Sequence, residues 1–352
     1  MQRQDLPTKP SPCQYTTGKV LGHGAYATVK EAFDKETGGV YACKIINKHL
    51  MRGREYLVRN EIDVLDKISR GHPNIVTLED YFESKHNLYL CFGLCNGGEL
   101  FDRICSRPHF YEADAAVLLR TILTTLEYIH ASGIVHRDLK PENLLFQSDG
   151  ENSEIMITDF GLSRILDEKL SLFTGVCGTA GYMAPEIFSK KGYSKPVDIW
   201  AVGVITYYML VGHPPFDRGT ARLEHAAVLS GDLQFDPSEW APVSMTARDF
   251  VRACLTMDPA RRPTAEQALK HAWLSSKTPC FVPALFDPNG GPTDLLPHLK
   301  EVFRVQTKLI SSVAARKARG RIWRQTSVPH LNNLRETATD IAAIRPISYP
   351  NT

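Results

Sequence analysis

The sequence predicts an α+β protein with two lobes, a small lobe rich in β-strands and a larger helical lobe, with a cleft between them. Residues 15–47 alternate apolar and polar positions between glycines, a pattern typical of a short antiparallel meander. Residues 98–274 favour helices separated by loops that contain proline. A chain of 352 residues is long enough for both lobes and a C-terminal extension.

Individual elements follow from the spacing of apolar residues. Residues 40–45 and 88–94 each predict a strand. Residues 54–68 and 113–132 carry apolar side chains at helical spacing, and the second of these stretches ends at a glycine. The most apolar stretch, residues 199–211, is shorter than the roughly 20 residues that span a bilayer, so it predicts a buried core helix and no membrane span.

The composition is typical of a soluble globular protein and argues against several function classes. Hydrophobic residues make up 43% and charged residues 23% of the chain. The formal net charge of +2 gives no indication of nucleic-acid binding. The N-terminus lacks the apolar run of a secretory signal, and Gln2 does not fit N-myristoylation. The 8 cysteines show no zinc-like spacing, so we expect a reducing compartment, the cytoplasm, with the nucleus as the alternative.

A glycine-rich turn joins the first two predicted strands. Residues 22–29 are GHGAYATV, and glycines let backbone N–H groups approach phosphates with no side chain between them. Ala27 replaces the third glycine of G-x-G-x-x-G, and the strand that follows argues against a Rossmann site, which needs a helix there. For this motif alone, an ordinary glycine-rich hairpin is an equal alternative.

Residues 136–143 are HRDLKPEN and carry a more specific signal. Phosphoryl transfer needs a carboxylate that orients and deprotonates a hydroxyl, a cation and a metal ligand. Asp138, Lys140 and Asn143 offer these three groups within one loop. A DFG sequence follows, and its Asp159 suits Mg²⁺, which binds few carboxylates together with substrate phosphates. A plain polar loop would not require this combination.

In this order and spacing, the glycine loop, HRDLKPEN and DFG resemble the protein kinase catalytic domain over residues 15–274. The resemblance implies the bilobal protein kinase fold, with an N-lobe of about 15–94 and a C-lobe of about 98–274. It also implies transfer of the γ-phosphate of ATP to protein hydroxyls, with ATP and Mg²⁺ as cofactors.

The resemblance assigns the main roles in that reaction. Lys44 matches the strand lysine that holds the α- and β-phosphates, and Glu61 matches its helical ion-pair partner. An ordinary edge lysine and a solvated glutamate are the alternatives. The implied catalytic residues are Asp138, Lys140 and Asn143, and the implied metal ligands are Asn143 and Asp159.

The ATP pocket is implied in the same way. Four apolar side chains would sandwich the purine, the backbone at Gly93 and Cys95 would bond its edge, and Glu99 would contact the ribose and a substrate arginine. Taken singly, each apolar residue fits plain core equally well. The implied ATP-binding residues are Leu21, Gly22, His23, Gly24, Ala25, Val29, Ala42, Lys44, Glu61, Gly93, Cys95, Glu99 and Leu145.

Further matches concern the scaffold and the substrate. The resemblance pairs Glu186 with Arg262 and places Asp198 against the backbone of the catalytic loop. Thr179 would bridge Asp138 and a lysine of that loop, an arrangement that favours serine and threonine over tyrosine as acceptors. Substrates with arginine three residues before the acceptor are expected from the same resemblance.

Within the kinases, the chain is most similar to the calcium/calmodulin-dependent protein kinases. The sequences GGELFDR, CGTAGYMAPE and LKHAW carry this likeness. Ala180 stands where proline is usual, and Gly175 sits where an activating threonine is expected. The activation-loop candidates are therefore Thr174, as a phosphosite for an upstream kinase, and Thr179.

Two rival functions differ from this interpretation in class. A pseudokinase scaffold would bind partners without catalysis, but no catalytic motif residue is degraded. A small-molecule phosphotransferase would not need the lysine of the catalytic loop or the APE segment. A related kinase that calmodulin does not regulate is a further alternative.

The C-terminal region predicts a regulatory segment. Asp294 could cap a helix whose first turn tolerates Pro297, and apolar and basic residues then recur near helical spacing. A basic amphipathic helix is typical of a calmodulin target or a membrane-surface helix. The resemblance favours calcium-loaded calmodulin and a segment that folds over the cleft as an autoinhibitor, with a solvated basic tail as the alternative. The candidate anchors are Leu309, Ile310, Val313, Ile322 and Trp323.

The predicted organisation thus has five parts. They are an N-terminal extension (1–14), the kinase catalytic domain (15–274), a linker (275–293), the autoinhibitory and calmodulin-binding segment (294–325) and a flexible tail (326–352).

Overall fold

The structure is a computed structural model that describes residues 14–24, 26–166, 172–175, 177–189, 192–275, 293–302 and 324–325. The predicted anchors in the C-terminal segment and Ala25 of the glycine loop lie outside these residues, as do the N-terminal extension before residue 14 and the tail from 326 onward.

An antiparallel sheet forms the smaller lobe. Its strands pair in the order β1-β2-β3-β5-β4, and β2 pairs with β3 without a bulge, from Ala27 opposite Ile46 to Phe33 opposite Val40. The strands are β1 (Tyr15–Gly24), β2 (Ala27–Asp34), β3 (Val40–Asn47), β4 (Leu78–Glu83) and β5 (Asn87–Gly93). The predicted strand at 88–94 is thus displaced by one residue.

One helix, α1 (Glu55–Ile68), follows β3 in the chain. Its apolar residues recur three and four positions apart, so one face of the helix is buried. Glu61 lies on that buried face, between Val58 and Leu65, although a carboxylate is rarely buried without a partner.

The larger lobe is helical, which confirms the predicted fold class. Residues 199–211 belong to a helix that is buried along almost its whole length and ends at Gly212, whose φ is +86°. No helix in the described ranges is long and apolar enough to cross a membrane. The helices are α2 (Leu100–Ser106), α3 (Glu112–Ala131), α4 (Pro185–Phe188), α5 (Pro196–Val211), α6 (Ala221–Ser230), α7 (Pro237–Trp240), α8 (Met245–Cys254), α9 (Ala265–Leu269) and α10 (Ala272–Ser275).

Two short strand pairs hold the catalytic loop, residues 136–143, at the floor of the cleft. The loop begins after β6 (Ile134–Val135), which pairs with β9 (Arg164–Ile165). It ends at β7 (Leu144–Phe146), which pairs with β8 (Ile155–Ile157). Because both ends of the loop are fixed by strand pairing, its side chains have a defined direction into the cleft.

The C-terminal segment contacts the domain at two places. Asp294 Oδ1 accepts hydrogen bonds from Phe110 N–H at 2.9 Å and Leu296 N–H at 3.0 Å, as a cap of the helix over residues 296–302. We call residues 294–302 the anchor helix; Leu295, Leu296 and Leu299 bury its apolar side in the core of the larger lobe. Further along, β10 (Arg324–Gln325) pairs in parallel with residues 23–24 of β1.

Candidate active site

A buried ion-pair triad joins the two lobes. Lys44 Nζ lies 2.7 Å from Glu61 Oε1 on α1 and 3.3 Å from Asp159 Oδ1 after β8. Burial opposes the charged form of Lys44, but the two carboxylates outweigh it and raise the Lys44 pKa. The ammonium group is therefore charged and fixed where phosphates of a nucleotide would enter the cleft.

Asp198 at the start of α5 fixes the backbone of the catalytic loop, as predicted. Its Oδ2 accepts the N–H of His136 at 2.9 Å, and its Oδ1 accepts that of Arg137 at 2.8 Å. Arg137 has a φ of +68°, a conformation that is costly for a residue with a side chain. The two bonds to Asp198 offset that cost and hold the next residue, Asp138, in place.

The side chain of Asp138 lies in a closed hydrogen-bond triangle. Thr179 Oγ1 donates to Asp138 Oδ1 at 2.8 Å, and Lys140 Nζ lies 2.9 Å from both Asp138 Oδ2 and Thr179 Oγ1. Asp138 and Lys140 are 4% and 1% exposed. Burial raises the pKa of Asp138, and Lys140 opposes the rise. A carboxylate so placed can orient a hydroxyl and take its proton.

Asn143 and Asp159 fit a metal ion. Asn143 is fully buried, and its Nδ2 donates to the Asp138 carbonyl at 2.8 Å. Its Oδ1 is buried with no hydrogen-bond partner in the described chain, which is unusual for an amide oxygen and suits a metal ligand. Lys44 holds the pKa of Asp159 below its usual value although burial opposes this, so Asp159 supplies an ionised ligand.

The predicted ATP residues that the structure describes lie mostly on strands of the smaller lobe and on β7. Gly22 faces Val29 across β1 and β2, and Val29 faces Lys44 across β2 and β3. On the floor, Leu145 of β7 forms a bridge with Glu99 and is 8% exposed. The other predicted members lie at the end of β1, on β3, at the end of β5 and just after it, namely Leu21, His23, Gly24, Ala42, Gly93 and Cys95.

Glu99 belongs to an acidic group at the edge of the cleft. Glu99 directly precedes α2, whose first turn contains Asp102. The negative charges of Asp102 and of Glu142 in the catalytic loop both oppose ionisation of Glu99. Burial, followed by the charges of Asp102 and Glu142, raises the pKa of Glu99 to about 7. Such a carboxylate becomes charged near neutral pH and would gain from a cationic partner.

The scaffold contacts of the larger lobe include the predicted pair of Glu186 and Arg262. Arg262 Nη1 and Nη2 bind the two carboxylate oxygens at 2.5 and 2.8 Å, a bidentate geometry. Thr174, in contrast, is exposed, and none of the described contacts brings it to the catalytic group.

Two residues that matter for the site had no sequence signal. His130 on α3 places Nε2 2.9 Å from Asp198 Oδ2 and completes the buried set around that carboxylate. Tyr193 contacts Arg137 beside the catalytic aspartate. Both lie more than 50 residues from a partner they contact, 68 for His130 and 56 for Tyr193, so only the folded chain brings them together.

This fold and this site define a protein kinase. Residues 15–274 match the protein kinase domain family, which is about three quarters of the chain. The chain therefore belongs to the protein kinases.

Curated relatives narrow the family. The chain is 52% identical to calcium/calmodulin-dependent protein kinase cmkB of Emericella nidulans, over 87% of this chain and 75% of the relative. It is 48% identical to calcium/calmodulin-dependent protein kinase type I of Schizosaccharomyces pombe, over 84% and 85%. It is 46% identical to human calcium/calmodulin-dependent protein kinase type 1B, over 75% and 76%. Within the protein kinases, the chain is a member of the calcium/calmodulin-dependent serine/threonine kinase family, as its motifs predicted.

Proposed function

We propose that the triangle of Asp138, Lys140 and Thr179, beside the Lys44 triad, is the centre that transfers the γ-phosphate of ATP to serine and threonine residues of proteins. The observation that carries this proposal is the position of Asp138, because its carboxylate is buried in the catalytic loop and oriented by two donors, Thr179 and Lys140. A scaffold without activity would have no need of this set of oriented ionic groups.

Each group acts on a different part of the reaction. Lys44 and the glycine turn bind and orient the phosphates. Asp138 orients the acceptor hydroxyl and takes its proton as the oxygen attacks, while Lys140 balances negative charge nearby. Mg²⁺ held by Asn143 and Asp159 would supply positive charge to neutralise the phosphate oxygens. Most of the acceleration comes from positioning and electrostatic stabilisation.

The test is the Asp138→Asn variant. This change removes the base and keeps the side-chain shape, so kcat should fall by at least about a hundredfold. Nucleotide affinity should stay within about twofold, since the carboxylate acts on the hydroxyl. Glu127→Gln, the same acid-to-amide exchange at a half-buried position of α3 outside the catalytic motifs, is the matched control. Near-normal turnover in the Asp138→Asn enzyme would remove the assignment.

The acidic group around Glu99 supports a preference for arginine three residues before the acceptor. Glu99 lies next to the catalytic loop and carries two neighbouring negative charges, from Asp102 and Glu142. A guanidinium would relieve that repulsion and pair with the carboxylate in bidentate geometry. A peptide array that shows no arginine preference, or the same preference in Glu99→Ala, would contradict this.

Calmodulin regulation is supported by the relatives, whose names state calcium/calmodulin dependence. It is further supported by β10, residues 324–325 of the predicted segment, which pairs with residues 23–24 of the glycine turn. Strand pairing there would restrict the turn that must close over phosphates. Calcium-loaded calmodulin, by binding the segment, would shift the population to an open cleft.

A truncation tests this regulation. Because Leu295, Leu296 and Leu299 are part of the core, the deletion should begin after residue 302 and leave the anchor helix in place. The shortened enzyme should be active without calcium, and the full chain should need calcium-loaded calmodulin. A shortened enzyme no more active than the calcium-free full chain, with no calmodulin binding by a 303–325 peptide, would contradict the proposal.

Thr174 is proposed as a site for an upstream activating kinase. It is exposed and lies one residue from Gly175 in the described part of the activation segment, so another kinase could reach it. Equal activation of Thr174→Ala and wild type after treatment with the upstream kinase would exclude this role.

A further inference from the structure

A buried tyrosine outside the catalytic motifs connects the catalytic loop to the activation segment, described over residues 172–175 and 177–179. Tyr193 is 3% exposed and lies shortly before α5. Its backbone exchanges two hydrogen bonds with Phe173, each of 2.9 Å. The main chain of the activation segment is thus paired with the main chain of Tyr193, independently of the side-chain contacts.

The hydroxyl of Tyr193 uses all of its hydrogen-bonding capacity on these two elements. A phenol has one hydrogen to donate and two lone pairs to accept with. Tyr193 Oη donates to the Gly175 carbonyl at 2.6 Å and accepts from Arg137 Nη1 at 3.3 Å. Cys177 Sγ lies 3.3 Å from the same oxygen, and because the phenol hydrogen is already committed, the thiol is the donor.

Arg137 carries this connection to the catalytic residue. Its Nε donates to the Leu162 carbonyl at 2.7 Å, and its guanidinium carbon lies 4.9 Å from the centre of the Phe173 ring. Arg137 immediately precedes Asp138. The guanidinium is therefore held on three sides, by the segment after DFG, by Phe173 and by Tyr193.

Tyr193 is also connected to Asp138 through the activation segment, by way of Cys177 and Thr179. Cys177 lies two residues before Thr179, whose hydroxyl bonds Asp138. Between them, Gly178 has a φ of +117° and packs so closely that an added Cβ would lie 2.9 Å from the Arg137 carbonyl. The segment and the loop are thus in direct contact, and their relative position sets the bond between Thr179 and Asp138.

We propose that Tyr193 is a positioning residue for phosphoryl transfer: its hydroxyl holds the activation segment against the catalytic loop so that Thr179 meets Asp138. In this chain Gly175 stands where the family pattern has an activating threonine. Gly175 has no hydroxyl to phosphorylate, and its backbone carbonyl accepts a hydrogen bond from the Tyr193 hydroxyl. The phenol therefore does here, without phosphate at residue 175, part of the ordering that a phosphate group would do. This inference rests on the proposed role of Asp138.

The test compares Tyr193→Phe with Tyr207→Phe. Both tyrosines are 3% exposed, and Tyr207 also donates its hydroxyl to a backbone carbonyl, that of Gln234 at 3.1 Å, away from the site. The assays use the full chain with Thr174→Ala, saturated with calcium-loaded calmodulin, so that both variants are compared in the same state and no phosphate at residue 174 compensates. We expect Tyr193→Phe to lower kcat by about ten- to hundredfold with KM for ATP within about twofold. Tyr207→Phe should keep kcat.

A second measurement separates positioning from a general loss of stability. Amide hydrogen exchange over 172–179 should accelerate in Tyr193→Phe and stay unchanged in Tyr207→Phe. Unchanged kcat in Tyr193→Phe, an equal loss in both variants, or unchanged exchange over 172–179 would overturn the proposal. Because Asp138→Asn tests the catalytic base alone, an active Asp138→Asn enzyme would instead point to failure of the proposed site.

If Tyr193→Phe does not fold, two variants of Cys177 test the same hydrogen-bond cluster around the Tyr193 hydroxyl. Cys177→Ser keeps a donor to the Tyr193 hydroxyl, whereas Cys177→Ala removes it. The alanine variant should have a kcat several-fold below that of the serine variant, which should be close to wild type. Equal kcat in the two variants would overturn the proposal.

Discussion

The proposed preference for arginine three residues before the acceptor should become stronger as pH rises, because Glu99 ionises in the neutral range. Burial and the charges of Asp102 and Glu142 place its pKa at about 7. A raised pKa means that Glu99 is protonated below that value, so the ionised fraction is about one tenth at pH 6 and about nine tenths at pH 8. Only the ionised form pairs with a guanidinium.

The measurement is the ratio of kcat/KM for two peptides that differ only in arginine or alanine at that position. Steps common to both peptides, including ionisation of Asp138, cancel in the ratio. The ratio should therefore increase by about tenfold from pH 6 to pH 8. Glu99→Gln should give a low and pH-independent ratio. Asp102→Asn removes a charge that raises the Glu99 pKa and should move the increase to lower pH.

The reasoning would be refuted by a wild-type ratio that stays constant across this range, since the ionised fraction must change there. It would be refuted equally by an increase that persists in Glu99→Gln, because another group would then be responsible.

Three further variants test other parts of the structure. Arg262→Met leaves Glu186 buried without its bidentate partner and should lower the free energy of unfolding by about 3–5 kcal/mol in a urea titration; a loss near zero would show that the pair contributes nothing. Leu299→Ala opens a cavity beneath the anchor helix and should cost about 2–5 kcal/mol by the same measurement, unless the helix is not docked in solution. Asn143→Ala removes a proposed metal ligand, so the Mg²⁺ concentration for half-maximal activity should rise by at least about tenfold, whereas an unchanged requirement would exclude Asn143 as a ligand.

The fold was predictable because its signals are local. The apolar periodicity of 113–132 matches α3 at Glu112–Ala131 to within one residue, and the apolar run at 199–211 lies inside α5. The triangle around Asp138 was partly predictable, since Asp138 and Lys140 share one loop. Thr179 was expected there only from the family resemblance.

What the sequence could not indicate depends on distant contacts. The neutral-range pKa of Glu99 requires its burial and the approach of Glu142, which is 43 positions later in the chain. The docking of Leu299 into the larger lobe depends on a surface made by helices far away in the sequence. Tyr193 has no motif, and its role appears only when its hydroxyl is found between two loops.

The anchor helix gives the C-terminal segment a fixed point of attachment. Residue 302 ends the described helix and β10 begins at residue 324, so 21 residues connect the attachment to the strand that pairs with the glycine turn. A connection of that length confines the strand to a small volume, equivalent to an effective concentration on the order of millimolar. If the intrinsic dissociation constant of this strand contact is about 1 mM, the contact would therefore be formed in about half of the molecules. A free peptide of the same sequence, at micromolar concentration, should inhibit poorly, and under the proposed regulation calmodulin would need to overcome only a contact of this weak intrinsic affinity.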